Sequence, residues 1–347
     1  MAAATLADAG LGFDDLDGIV VAANDQLDGR AIAIMAASGS VGGVDRDILA
    51  TPSAGEHAFV LGALRIRSGL FRTQLVMAWS PIEATSVRDA LRLGTDPCYE
   101  RALPLDPLTA DALQAGRLEA RHPLARQAAL AVADKNRAHG RAAGILRDDN
   151  AADGQMLRWP IRAGMTAAPG VGVVGLLLTD SAFAGSSAPC ALLKGLGWGA
   201  EASLLGDRDL ARVPSLETAA RQAFAHAGMS PASCDLGEIT DGTPHQELIA
   251  YGALGLAEPD AWAAALGAGE FSQRGRLPIN LSGGLAAHNP IFCAGLTRIA
   301  EAANQVRGRA GSHQVAGART AFAAAASGPA MQYNTVAVFA RPAEGRA

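Results

Sequence analysis

Four side chains stand where their chemistry can be put to use. His288 and Asn289 lie in Asn280-Leu-Ser-Gly-Gly-Leu-Ala-Ala-His288-Asn289-Pro290-Ile-Phe-Cys293-Ala-Gly295, an irregular stretch before an amphipathic helix. Two glycines, a histidine and an asparagine are costly in such a loop unless they shape a site. Cys293, read as three residues into that helix, is a nucleophile or, preferably, core filler. Asp241 lies in Thr240-Asp-Gly-Thr-Pro-His-Gln246, at the C-terminal end of a predicted strand, where α/β folds bind ligands. Its alternative role is to cap the following helix, and His245 reads as a first-turn helix residue. Ser53 belongs to Thr51-Pro-Ser-Ala-Gly-Glu-His57, a Pro/Gly loop running into a helix whose N-terminus would stabilise an anionic intermediate. Glu56 and His57 read equally as first-turn residues facing solvent.

Other chemistries lack their residues. Gly170-Val-Gly-Val-Val-Gly175 opens an apolar strand rather than a helix, so it is small-residue packing and not a dinucleotide fingerprint. There is no Walker A sequence, no HExxH, no CxxC and no GxSxG elbow. His122, His139, His226 and His313 sit in ordinary helical or surface contexts. The net charge is -5, only Lys135 and Lys194 are lysines, and the arginines are scattered, which argues against nucleic acid as partner. Charged residues make up 18% of the 347, below the roughly 25% of an average soluble chain, and 49% are hydrophobic, so a large core is expected. The first residues lack the basic and apolar regions of a signal peptide and no apolar run reaches membrane length; a cytoplasmic location is expected by elimination.

The elements that must position these side chains repeat. A helix stopped at Gly10 leads through a polar connection to a strand at Ile19–Ala23; a helix over Ala219–Ala227, stopped at Gly228, leads to a strand around Glu238–Thr240. Gly10 and Gly228, Leu11 and Met229, Asp17 and Asp235, Val21 and Ile239 recur at one constant offset. Alanine-rich helices at Ala58–Arg67 and Ala294–Val306 echo each other too, so two similar α/β halves are read as an internal duplication. Further strands are expected at Gln74–Ala78, Leu176–Leu178 and Val336–Phe339. Between the halves, Leu103–Pro160 reads as a mostly helical cover, with a helix over Leu124–His139 and a polar loop over Asp148–Gln155; Arg341–Ala347 reads as a tail.

The phrases GRLPINLSGGLAAHNPIFCAGLTRIAE, QVAGART, EITDG, DKNRAHG and LADAGL..DLDGIVV, spread over nearly the whole chain, resemble the thiolase superfamily, in the branch related to sterol-carrier-protein thiolases. That resemblance implies an α/β duplicated thiolase fold, a five-layer αβαβα arrangement and a homodimer. It divides the chain into an N-terminal half over 1–115, a helical loop segment over 116–160, the last strand region of the first half over 161–185, and a C-terminal half over 186–347. Family members begin with a strand ahead of the helix that ends here at Gly10, so the fold is expected to lack its first N-terminal strand and to expose a sheet edge.

The resemblance also implies a site from which this chain departs. The acylated cysteine of the family falls on Pro52, counting back from Ser68-Gly69, and the histidine of its GHP loop falls on Asn289. The histidine of its HD phrase falls on Thr240 and its C-terminal turn on Ser327-Gly328. Proline is no nucleophile, and the adjacent Ser53 lacks thiolate character. Thiolysis through a cysteine acyl-enzyme is therefore not expected. Thiolase-like retro-aldolases, which lack that cysteine and work with a small OB-fold partner, imply cleavage of a β-hydroxy acyl-CoA. Coenzyme A then enters as part of the substrate and no cofactor is held permanently. Such a reaction needs a base for the β-hydroxyl and a donor for the thioester enolate. Tyr333, beside the C-terminal turn, with Asp241 and His288 would serve as acid or base, and Asn289 as donor. The alternatives are a non-catalytic scaffold or regulatory subunit, and an acyl-CoA acyltransferase using unexpected residues.

Overall fold

Alternation along the strands assigns each face to a layer. In β1 (Gly18–Ala22), Val20 and Ala22 join one buried cluster while Ile19 and Val21 join another. β2 (Asp47–Thr51) and β3 (Thr73–Ser80) lie parallel to β1 on either side. A short hairpin, β4 (Met156–Arg158) and β5 (Ile161–Arg162), precedes β6 (Gly172–Thr179), which runs antiparallel to β3. The first sheet thus has the order β2-β1-β3-β6. The second is built from β7 (Leu192–Ala200), β8 (Leu236–Ile239), β9 (Thr320–Ser327) and β10 (Tyr333–Ala340), in the order β7-β10-β9-β8. This computed structural model describes residues 1–28, 32–80, 86–103, 105–146, 154–166, 168–181 and 189–342; most of the expected polar loop Asp148–Gln155 and of the tail Arg341–Ala347 lies outside them.

Two helices, Gly55–Arg67 and Ala294–Arg307, fill the space between the sheets. Phe59, Ala63, Leu296, Ile299 and Val306 share one cluster with Val76 and Ala78 of the first sheet and Ala323 and Ala337 of the second. Ala2–Asp8 packs on the far face of the first sheet. On the far face of the second, Pro214–Ala227 packs against the strands, and Pro107–Arg121 and Ala125–Ala142 pack over Pro244–Ala253 in the same buried cluster. The result is five layers, α/β/α/β/α.

The duplication extends to topology. β8, β9 and β10 repeat the parallel and then antiparallel pairing of β1, β3 and β6. The outer edge of β10 is closed by β7; among the described residues β3 is the sole strand partner of β6. β7 itself, LLKGLGWGA, has few strand formers but a glycine at alternate positions. The helix Pro214–Ala227 explains them: a Cβ at Gly195 would lie 1.9 Å from Ala223 O and one at Gly197 2.1 Å from Ala219 O. No described helix is long and apolar enough to cross a membrane.

Candidate functional site

The N-terminus of the central helix Gly55–Arg67 gathers the first group. Gly55 admits its neighbours because it has no side chain: a Cβ there would sit 2.8 Å from Leu296 Cβ, 3.0 Å from Ala78 Cβ and 3.2 Å from Phe292 O. Ser53 Oγ and His57 Nδ1, one turn apart, share a short hydrogen bond. The His57 ring meets Tyr333 edge-on, with centroids 5.3 Å apart and planes at 88°. Ser53 and His57 are half-buried, and Tyr333 is 37% exposed. The structure therefore joins Ser53 to Tyr333 through His57, a residue that sequence reasoning left as a first-turn helix position. The signal for it was the i, i+4 spacing of Ser53 and His57 across a helix start, which places both side chains on one face.

His288 and Asn289 form a second group. The chain approaches them through Gly283 and Gly284, both with positive φ (89° and 60°). His288 is exposed, with Nε2 3.3 Å from Val171 O, and Asn289 O accepts from Gly170 N at 2.7 Å. Beyond Pro290 a short 3₁₀ turn, Ile291–Cys293, brings Phe292 O against Gly55 and so connects this loop to the helix N-terminus. Cys293 ends that turn, just before the helix Ala294–Arg307 rather than within it. Its Sγ points at Gly172 O (3.4 Å), and burial, with the nearby Glu56 carboxylate, pushes the thiol up to about 12. It carries negligible thiolate at neutral pH, so it is filler rather than nucleophile. Glu56 is fully buried, and neither carboxylate oxygen has a hydrogen-bond partner among the described residues.

Asp241 belongs to a third, interior group. Its carboxylate accepts from Leu285 N (2.7 Å) and Asn136 Nδ2 (2.7 Å). The same Asn136 amide donates to Glu247 Oε2 (2.6 Å), which also receives Asn280 Nδ2 (2.8 Å). Lys135 Nζ pairs with Glu247 Oε1 at 2.9 Å, and the Tyr251 hydroxyl donates to the same oxygen. Burial, reinforced by the Glu247 charge, raises the Asp241 carboxyl to about 7. Through Leu285 N it anchors the segment that leads into His288 and Asn289; among the described residues, no hydrogen bond joins it to His57 or Tyr333. Among the described residues, no group of three or more His, Cys, Asp and Glu is arranged to hold a metal ion.

Residues 200–341 match the family "Thiolase C-terminal domain-like". Sterol carrier protein 2 of Rattus norvegicus is 38% identical over 105 residues, 30% of this chain and 19% of the rat protein. An acetyl-CoA acetyltransferase of Methanothermobacter thermautotrophicus is 37% identical over 112 residues, 32% of this chain and 29% of that protein. The matched stretches thus span under a third of either relative's length. Over the whole chain the fold is similar to that of an Ltp2-ChsH2(DUF35) aldolase, with TM-score 0.78 and 18% identity, covering 97% of this chain and 90% of that one. The chain thus has a duplicated five-layer fold similar to that of the thiolase-like structures, and its C-terminal part is similar in sequence to the thiolase C-terminal family and to sterol-carrier-protein-type thiolases.

Proposed function

We propose that this thiolase-like chain acts on acyl-CoA thioesters and cleaves a carbon–carbon bond in a β-hydroxy acyl-CoA by a retro-aldol reaction, without an acyl-enzyme. The observation that carries the reading is the Ser53–His57–Tyr333 group at the helix start where the family's nucleophile position holds Pro52. A base takes the β-hydroxyl proton, the Cα–Cβ bond breaks, and a ketone or aldehyde leaves while the electron pair passes into the thioester enolate. Protonation at Cα then gives the shortened acyl-CoA. No oxidant, water or external nucleophile enters, so proton transfer and enolate stabilisation are the protein's tasks. His57, oriented by Ser53, and Tyr333 serve as base and acid. Asn289 and the N-terminus of the Gly55–Arg67 helix stabilise the enolate oxygen, with His288 on the exposed side of the same loop. Asp241 acts from beneath, through Leu285 N, on the loop that carries His288 and Asn289. A second copy of the chain and a small OB-fold protein are the proposed partners, the latter because the similar aldolase is named with a DUF35 protein. The proposed setting is the cytoplasm.

The Ser53–His57 hydrogen bond favours one further reading, an acyltransferase with Ser53 as acyl acceptor. A scaffold role would fit the loss of the cysteine alone. Incubation with β-hydroxy acyl-CoA and simple acyl-CoA panels, with and without an OB-fold partner, separates the three. Ketone or aldehyde release at unchanged protein mass supports the aldolase. A mass increase localised to Ser53 supports the acyltransferase, and binding without turnover in either panel supports the scaffold.

A further inference from the structure

The turn that delivers Tyr333 is held in a conformation its residues disfavour. Ala330 and Met331 both lie in the left-handed region (φ 49° and 58°), separated by Pro329 from Gly328 (φ 74°). Neither has a glycine's freedom, so the surrounding structure must impose the shape. It does so through the turn's own carbonyls. Pro329 O accepts from Arg208 Nη1 at 3.0 Å, and Ala330 O accepts from Arg208 Nη2 and from Gln114 Nε2 (3.3 Å). Asn334 Nδ2 then takes Met331 O (2.9 Å) and Glu201 N takes Gln332 O (2.8 Å). Four consecutive carbonyls thus have assigned donors, and the next residue is Tyr333. On the amide side, Ala330 N donates to Asp111 Oδ1 at 3.3 Å.

Arg208 is the centre of this clamp. Its planar fork spans two successive carbonyls, which a lysine's single ammonium does not reproduce. It lies on the segment after β7 and touches neither His57 nor Ser53 in the hydrogen-bond network. We infer that Arg208 is a positioning residue, fixing the Pro329–Met331 turn so that the Tyr333 ring stands edge-on to His57. The inference rests on the reading of Ser53, His57 and Tyr333 as the acid–base centre.

The test uses the full chain with Arg208→Met and Arg208→Lys, and Gln114→Met as a milder variant in case Arg208→Met does not fold. The first readout is the NMR resonance of the His57 Cε1–H group, with Tyr333→Leu as the reference for a histidine without its ring neighbour. In Arg208→Met, or in Gln114→Met to a smaller extent, this resonance should move toward the Tyr333→Leu position while distant resonances stay in place. The second readout is kinetic: kcat on a β-hydroxy acyl-CoA should fall by about ten- to a hundred-fold with KM nearly unchanged, because a misplacement near 1 Å suffices for that loss. Arg208→Lys should recover part of it. If the His57 resonance stays at its wild-type position in folded variants, the inference is overturned. If the resonance moves but the wild-type protein turns over no substrate, the clamp stands and the aldolase reading falls.

Discussion

Replacing Asn136 by alanine tests how the helical segment is joined to the second half of the molecule. Asn136 is 1% exposed, and its amide bridges two carboxylates at 2.7 Å (Asp241) and 2.6 Å (Glu247). The two ends are not equally dependent on it. Glu247 keeps Lys135, Asn280 and Tyr251 as partners, whereas among the described residues Asp241 keeps only the backbone amide of Leu285 as a hydrogen-bond donor. A hydrogen bond to a charged group contributes about 1.5–3 kcal/mol, so the loss at Asp241 sets the scale and the total should be about 3 kcal/mol at pH 8. At pH 5 the effect should be about half that. Burial raises the Asp241 carboxyl to about 7, so it is then protonated and neutral, and a lost hydrogen bond to it costs less than one to a carboxylate. The sign follows from linkage. A carboxyl with a folded-state value near 7 against an unfolded value near 3.8 makes the folded state bind the proton first, so the wild-type protein loses stability as pH rises through that window. Without Asn136 the decline should be steeper and extend above pH 7. Urea unfolding followed by circular dichroism at pH 5 and pH 8 reads both quantities. Equal losses at the two pH values, or a loss below about 1 kcal/mol at pH 8, would refute the reasoning.

Three further outcomes are expected. His57→Ala should lower turnover by about 10²–10⁴-fold in the assay with β-hydroxy acyl-CoA, the range of a lost general acid or base. Cys293→Ala should leave turnover within about threefold, and iodoacetamide at pH 8 should label the exposed Cys98 while sparing Cys293 in the folded protein, as peptide mapping would show. Gly197→Ala should destabilise the fold by about 1–3 kcal/mol in denaturant titration, because its new methyl group would lie 2.1 Å from Ala219 O and lift the helix from β7.

Hydrophobic runs and helix stops were strong signals here. The Gly10 and Gly228 stops are readable, and the strands expected at Ile19–Ala23 and around Glu238–Thr240 form at Gly18–Ala22 and Leu236–Ile239, because a short apolar run between a glycine stop and a polar loop has few alternatives. β7 and β9 are not readable in this way. Thr-Ala-Phe-Ala-Ala-Ala-Ala-Ser reads locally as helix, but it lies between β8 and β10 with helices on both faces, where small side chains permit close layers. β7 was hidden because its glycines report the proximity of another helix, a tertiary fact. At the candidate site, residue type and loop context single out Ser53 and the resemblance adds Tyr333, but neither marks His57 between them. No local pattern says that a turn some 270 residues further along the chain meets the first turn of the central helix.

The unequal edges of the two sheets also set a gradient of local opening. In the second half β10 is laced on both sides, by β7 and β9, whereas among the described residues β6 pairs on one side only, with β3. Amide exchange should therefore register two cooperative units, the first sheet releasing its outer strand well below the free energy of global unfolding while β9 and β10 exchange only with it. Ser53 and His57 ride on the more labile unit and Tyr333 on the more protected one. The edge-on contact of His57 with Tyr333 therefore joins the two halves, and opening of the first sheet is expected to lengthen it.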